Sequence, residues 1–233
     1  MMYPREHRLE YLKSATGIED FSDMDVLDWG GNHGNLIRDG IEAKSYTCVD
    51  VDLYGISLGK ADFPEHTWIH SNKFHPLYNN NITESDVELP DNAYDVIFAY
   101  SVFTHDTLEE MVSELTMLKQ KLRKNGVLCA SFIDPSTSKI FIIKRETEYQ
   151  NTINLHTFHN LTDYSYFIDN LTVTKDYDRS QQCNHFLSIY NSGWLIDKLS
   201  DTLGKCTLFM PDKFAISDWE KEPFQPSFIW RKS

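Results

Sequence analysis

Residues 25–36, Asp25-Val26-Leu27-Asp28-Trp29-Gly30-Gly31-Asn32-His33-Gly34-Asn35-Leu36, decide how the chain is read. A short apolar run leads into an acid, three glycines follow between positions 30 and 34, and a segment able to start a helix comes next. That order predicts a strand, a tight loop and a helix N-terminus. Glycines in such a loop let the backbone turn sharply and approach a ligand closely, while the first turn of a helix offers unpaired N–H groups. A nucleotide-like ligand would sit there.

Working outward, residues 45–50 read as the next strand, and with a helix near 35–40 they complete a β-α-β unit ending in Asp50. In open α/β sheets an acid at that strand end accepts hydrogen bonds from ribose hydroxyls. The dinucleotide fingerprint G-x-G-x-x-G fails, because counted from Gly30 it requires glycine where Asn32 and Asn35 stand. Asp28, directly before the loop, would oppose a pyrophosphate but suit a cation. The predicted ligand is therefore a nucleoside carrying positive charge, although Asp28 and Asp50 also read as caps of the loop and of the following helix.

The remaining elements extend this unit. Residues 5–14 predict a short amphipathic helix, 52–62 a helix weakened by Gly55 and Gly59, and 66–71 a third strand. Tyr94 to Val102 is almost continuously apolar, as a strand covered on both faces would be. Leu108, Met111, Val112, Leu115, Leu118 and Leu122 share one helical face behind a Thr107/Glu110 capping box, Asn125-Gly126 stops that helix, and 127–133 is the fifth strand. Residues 135–185 lose the alternation and read as an aromatic-rich insertion with one strand near 171–174. A strand at 186–190, a helix at 192–203 ended by Gly204, and strands at 206–210 and 227–231 follow. These predict one α/β domain over residues 1–233. Its expected core is a doubly wound, mostly parallel seven-stranded sheet with helices on both faces and one antiparallel strand near the C-terminus. Residues 1–20 would form a helical lid, and 135–185 the substrate-side insertion.

With 233 residues, 41% of them hydrophobic, the chain can bury a sizeable core. A formal charge of −13 argues against a nucleic-acid backbone or an anionic membrane as main partner and favours a small molecule; it leaves the oligomeric state open. Cys48, Cys129, Cys183 and Cys206 are scattered without a C-x-x-C pair and read as buried reduced thiols. The charged N-terminal residues are no signal peptide and no run reaches membrane-spanning length, so a cytoplasmic location is expected. Glycosylation acceptor matches at Asn81, Asn160 and Asn170 carry little weight without a secretion signal.

Taken together, these stretches resemble the class I S-adenosylmethionine-dependent methyltransferases. Val26-Leu27-Asp28-Trp29-Gly30-Gly31-Asn32-His33-Gly34 is similar to the family's acid followed by G-x-G-x-G, and Cys48-Val49-Asp50 to its ribose-binding strand end. Residues 94–105 resemble the fourth strand and its loop, and 122–128 the turn into the fifth strand. The resemblance covers about residues 25–134, and the last helix and two strands match in layout. It implies that Asp28 and the backbone of Gly30, Gly31, Asn32 and Gly34 hold the methionine moiety and that Asp50 holds the ribose. Adenine would lie against Val51, Ser71 and Asn72. Asn32 departs from the family's middle glycine, which is tolerable because Asn enters left-handed conformations readily. Ser71 and Asn72 stand where the family often has an acid.

Tyr100 and Phe103 follow the central strand toward the ligand end of the sheet, where an aromatic face stabilises a sulfonium, with core packing as the other reading. His105 is the candidate catalytic base or else a helix cap. Tyr164, Tyr166 and His185 are substrate-binding candidates by position. His66-x-x-x-His70 and His156-x-x-His159 have usable metal spacings without a third ligand, so no metal is expected. The implied reaction is methyl transfer from S-adenosylmethionine to an oxygen or nitrogen of a small molecule. Two alternatives remain: a methyltransferase-like enzyme using the same cofactor for intramolecular cyclisation with release of methylthioadenosine, and a non-catalytic binding protein of the same fold.

Overall fold

The structure is a computed structural model and describes residues 7–73, 75, 87–134, 161–168, 172–174, 186–210 and 225–233. In chain order its elements are α1 (His7–Thr16), β1 (Phe21–Trp29), α2 (Asn35–Arg38), β2 (Ala43–Asp50), α3 (Leu53–Asp62), β3 (Thr67–His70) and β4 (Tyr94–Ala99). A 3₁₀ turn (Phe103–His105), α4 (Leu108–Lys121) and β5 (Leu122–Ser131) follow. The rest comprises β6 (Tyr164–Ile168), β7 (Thr172–Thr174), β8 (Phe186–Tyr190), α5 (Ser192–Leu203), β9 (Cys206–Phe209) and β10 (Ser227–Arg231).

Among the described residues, the main sheet has seven strands in the order β3-β2-β1-β4-β5-β10-β9. Strands β1 to β5 pair in parallel, and β10 runs antiparallel to both neighbours. The fold is the α/β sheet that the sequence predicts. Alternation along each strand sends neighbouring side chains to opposite faces. Val26, Val96, Phe98 and Cys129 face a layer that includes Tyr11 and Leu12 of α1, whereas Leu27, Ile97, Leu128 and Ala130 face α4 and α5. All of these are buried, as the near-continuous apolar runs of a parallel sheet require, and each large side chain contributes roughly 1.5–3 kcal/mol. The Thr107/Glu110 capping box is present at α4: the Glu110 carboxylate accepts from the Thr107 amide at 2.7 Å, and the Thr107 hydroxyl accepts from the Glu110 amide at 3.3 Å.

Several boundaries differ from the sequence reading. β1 starts at Phe21, with an irregular register before Asp25. The predicted helix at 35–40 is a single turn, and β4 stops at Ala99, so Tyr100 to Val102 leave the sheet. Asn125-Gly126 does not end α4: the helix ends at Lys121, and Asn125, at φ 65, sits in a bulge within β5 where the register jumps from Leu122 to Val127. The strand at 186–190 belongs to a second, antiparallel sheet of order β7-β6-β8. No helix among the described residues is long and apolar enough to cross a membrane. Cys48, Cys129 and Cys206 are buried free thiols. Asn81, Asn160, Asn170, His156, His159, Cys183 and His185 lie outside the described residues.

Candidate active site

From β1 the chain winds outward through β2 and β3, then returns to add β4 on the other side. This reversal opens a crevice beyond the C-terminal ends of β1 and β4, the place where open α/β sheets bind ligands. The glycine loop occupies it. Gly30, at φ +75, donates to the Val49 carbonyl at 2.7 Å, and a Cβ there would stand 2.2 Å from Cγ2 of Val102. A Cβ on Gly31 would stand 2.5 Å from the Asp28 carboxyl carbon and 2.7 Å from the Cys48 sulfur. The loop is therefore pressed against the β4 loop on one side and onto Asp28 below, and a side chain at either position would lift it. Gly34 immediately precedes the α2 turn.

Asn32 takes the left-handed conformation at φ 54 and is fixed on every side. Its amide donates to Asp50 at 2.6 Å and its Nδ2 to Asp52 at 3.1 Å, while its Oδ1 accepts from the His33 amide at 2.9 Å. Asp50 also accepts from the Asp52 amide at 2.8 Å, so one carboxylate joins the loops after β1 and β2. Burial raises its pKa, and these backbone N–H groups pull it back. Asp28 lies beneath the loop, 3% exposed, and accepts from the Tyr46 hydroxyl at 2.5 Å. Burial pushes its pKa up to about 6, opposed by the Tyr46 hydrogen bond, the charge of Arg8 and the Leu36 amide.

The adenine-side candidates sit at the ends of β2 and β3. The Ser71 amide donates to the Asp50 carbonyl at 2.8 Å, the Val51 carbonyl accepts from His70 Nε2 at 3.2 Å, and Asn72 is exposed. Past β4, Tyr100 stacks on Phe98, ring centroids 5.9 Å apart, and the cation over its ring is the chain's own Arg8, at 5.7 Å. Phe103 is fully buried in the core. His105 ends the 3₁₀ turn half-buried, with its ring edge-to-face with His75 at 5.0 Å. Tyr164 packs with Trp194 at 5.3 Å and Tyr190 at 6.3 Å, and Tyr166 stands opposite Ser188 in the small sheet.

Several residues of the rim carry no sequence signal. Lys73 donates to Asp106 at 2.7 Å and to Glu114, whose other oxygen accepts from the Trp29 indole at 3.0 Å. Burial alone would lower the Lys73 pKa, but the two carboxylates outweigh it and hold the ammonium above its ordinary value. Burial and the Asp106 charge raise Glu114. Ser101, at φ 61, has its amide donating to the Ser131 hydroxyl at 2.7 Å, and Gln225 bonds both serine side chains. Only long-range folding brings these groups together.

No protein-family model matches the sequence, and no curated protein matches it. Solved structures do. A methyltransferase from Mesorhizobium loti that depends on S-adenosylmethionine aligns over 96% of this chain and 98% of its own, with a TM-score of 0.54 at 12% identity. The fold is that of the class I methyltransferases. A methyltransferase of Methanosarcina mazei shares it over 98% of this chain and 99% of its own, with a TM-score of 0.51 at 11% identity. Phosphoethanolamine N-methyltransferase 1 of Haemonchus contortus, solved with phosphoethanolamine and S-adenosylhomocysteine, matches 96% of this chain but 42% of its own length, with a TM-score of 0.50 at 14% identity. In this methyltransferase fold the glycine loop, Asp28 and Asp50 all lie at the switch point, as one assembly held by short hydrogen bonds.

Proposed function

We propose that the protein is an S-adenosylmethionine-dependent methyltransferase acting on an oxygen or nitrogen of a small molecule. The observation that carries the reading is Asp50 joined to the glycine loop at the switch point of a methyltransferase-type sheet. A carboxylate offers about four lone-pair positions. The two backbone amides that Asp50 accepts leave it capacity for the ribose hydroxyls of an adenosyl group. Buried Asp28 and its neighbour Asp50 make the loop's floor acidic, which suits a cationic ligand better than a pyrophosphate. S-adenosylmethionine, when bound, supplies an electrophilic methyl group on its sulfonium.

The chain's own contribution is alignment and exclusion of water. The β4 loop, pressed on Gly30 through Val102, forms one wall, and His105 on the same loop is the candidate to take a proton from the acceptor. Its neighbour His75 adds a second titratable ring at 5.0 Å. Small-molecule acceptors occur on this fold, as the phosphoethanolamine enzyme illustrates, and that support is by analogy of fold. The test is mass spectrometry of products after incubation with labelled S-adenosylmethionine and a metabolite mixture. Labelled methyl on a product, with S-adenosylhomocysteine, is the expected outcome. Methylthioadenosine in its place would overturn methyl transfer in favour of attack on the aminobutyrate arm.

A further inference from the structure

Ser101 stands where β4 has ended and the chain bends into the 3₁₀ turn, and it takes the left-handed region at φ 61, which serine rarely adopts. Each of its polar atoms is tied. The amide donates to the Ser131 hydroxyl at 2.7 Å, the hydroxyl oxygen accepts from Gln225 Nε2 at 3.0 Å, and the carbonyl accepts from the Thr104 hydroxyl at 3.0 Å. The Ser131 hydroxyl in turn donates to Gln225 Oε1 at 2.6 Å, so that Ser101, Ser131 and Gln225 close a ring of three hydrogen bonds. This ring stands on fixed ground. Ser131 ends β5 and is fully buried, the Gln225 carbonyl accepts from the Tyr11 hydroxyl of α1 at 2.5 Å, and the Pro226 carbonyl accepts from the Phe132 amide at 3.0 Å.

What the ring holds bears on the candidate site. Val102, directly after Ser101, meets Gly30 so closely that a Cβ there would stand 2.2 Å from its Cγ2, and its carbonyl accepts from the His105 amide at 3.1 Å. The bend at Ser101 therefore sets both the contact that presses on the glycine loop and the start of the turn that ends in His105. A left-handed serine persists only where its surroundings over-determine it, and here they include two side chains remote in sequence, Ser131 at 30 residues and Gln225 at 124. A carboxamide suits the task because it donates and accepts at once, serving both serines in fixed roles.

We propose that Gln225 is a positioning residue of the candidate site, holding Ser101 in the bend that seats Val102 on Gly30; its consequence for the donor rests on the reading above. The experiment places Gln225→Met, which keeps the side chain's length and removes its hydrogen bonds, in the wild-type protein and in Ser101→Gly, where φ 61 needs no support. Amide hydrogen exchange of the ligand-free protein and calorimetric titration with S-adenosylhomocysteine are the two readouts. In the wild-type background Gln225→Met is expected to speed exchange about tenfold in residues 100–105 and 30–34 and to weaken S-adenosylhomocysteine about 5- to 10-fold, the scale of buried hydrogen bonds lost with their partners left behind. In the Ser101→Gly background the same substitution is expected to change both readings by less than about twofold. Ser131→Ala, a smaller change in the same ring, is expected to repeat the wild-type-background effect and carries the test should Gln225→Met fail to fold. Equal effects of Gln225→Met in the two backgrounds would show that it does not act through Ser101, and unchanged affinity beside a lowered melting temperature would make the ring a support of the fold alone; either overturns the proposal. A wild-type protein that does not bind S-adenosylhomocysteine overturns the donor reading, and the exchange comparison then decides by itself whether Gln225 holds the bend.

Discussion

The two sides of the crevice are held by different forces. On the β1–β2 side the ties run from backbone amides to a carboxylate, Asn32 to Asp50 at 2.6 Å and Asp52 to Asp50 at 2.8 Å. Where the segments after β3 and β4 meet, a buried ammonium is gripped by two carboxylates, with Lys73 donating to Asp106 at 2.7 Å and to Glu114. Amide donors engage Asp50 without neutralising it and leave it able to accept more. Ion pairing commits the charge of Lys73 to Asp106 and Glu114. One side is thus an open cradle and the other a closed clamp, and under the proposed function only the cradle would meet the donor.

The comparison breaks most readily at the clamp. Lys73→Met would leave Asp106 and Glu114 buried without their cation and is expected to cost about 3–5 kcal/mol of stability in denaturant unfolding. A loss below about 1 kcal/mol would remove the clamp from the account. Adding Glu114→Gln to that variant should restore part of the loss, because one uncompensated charge is gone.

On the cradle side the next largest effect is pH-dependent. Asp28 has a folded pKa raised to about 6 from 3.8, so between those values the folded state holds a proton that the unfolded chain has released. Its contribution to stability is therefore favourable at low pH and is lost as pH rises from about 4 through about 6, by on the order of 2–3 kcal/mol. Asp28→Asn keeps an acceptor for Tyr46 and should flatten that slope in unfolding measurements between pH 4 and pH 7. Parallel slopes in the two proteins would show that Asp28 does not carry it.

Asp50→Ala is expected to weaken S-adenosylhomocysteine binding by roughly 1–3 kcal/mol in a folded variant, measured by competition titration. Unchanged affinity would reduce Asp50 to a tie between loops. The smallest effect separates backbone from side chain at Asn32. Asn32→Ala, forced to hold φ 54 without the side-chain bonds, should cost about 1–2 kcal/mol in thermal unfolding, whereas Asn32→Gly should cost less because glycine accepts that conformation. Equal costs in the two variants would mean that the bonds to Asp52 and His33, which both lack, and not the backbone, decide the position.

Most of the cradle was legible in the sequence because it is built from contiguous residues. The glycine spacing at 30–34, the acid before it and the acid ending the next strand stand within one β-α-β unit. The strands were legible because parallel strands buried on both faces are apolar without interruption, as in Val96, Ile97 and Phe98. The clamp was not, since Lys73 lies 33 residues from Asp106 and 41 from Glu114 and no local period links them. Arg8 escaped for the same reason: on the helix pattern it is one more polar position, and only the docking of α1 brings it over Tyr100. Tyr100 was read either as facing the ligand's cation or as packing in the core, and its ring stacks on Phe98 beneath the chain's own Arg8. Phe103 could not be divided between ligand wall and core by sequence, because both uses select an aromatic at the end of a central strand.

Calorimetric titration of the folded wild-type protein with S-adenosylhomocysteine, beside NAD as the dinucleotide the loop should refuse, tests the cradle most directly. Saturable binding of S-adenosylhomocysteine, displaced by S-adenosylmethionine and absent for NAD, is the predicted result. A folded protein that gives no heat and no displacement with either adenosyl ligand would contradict the account.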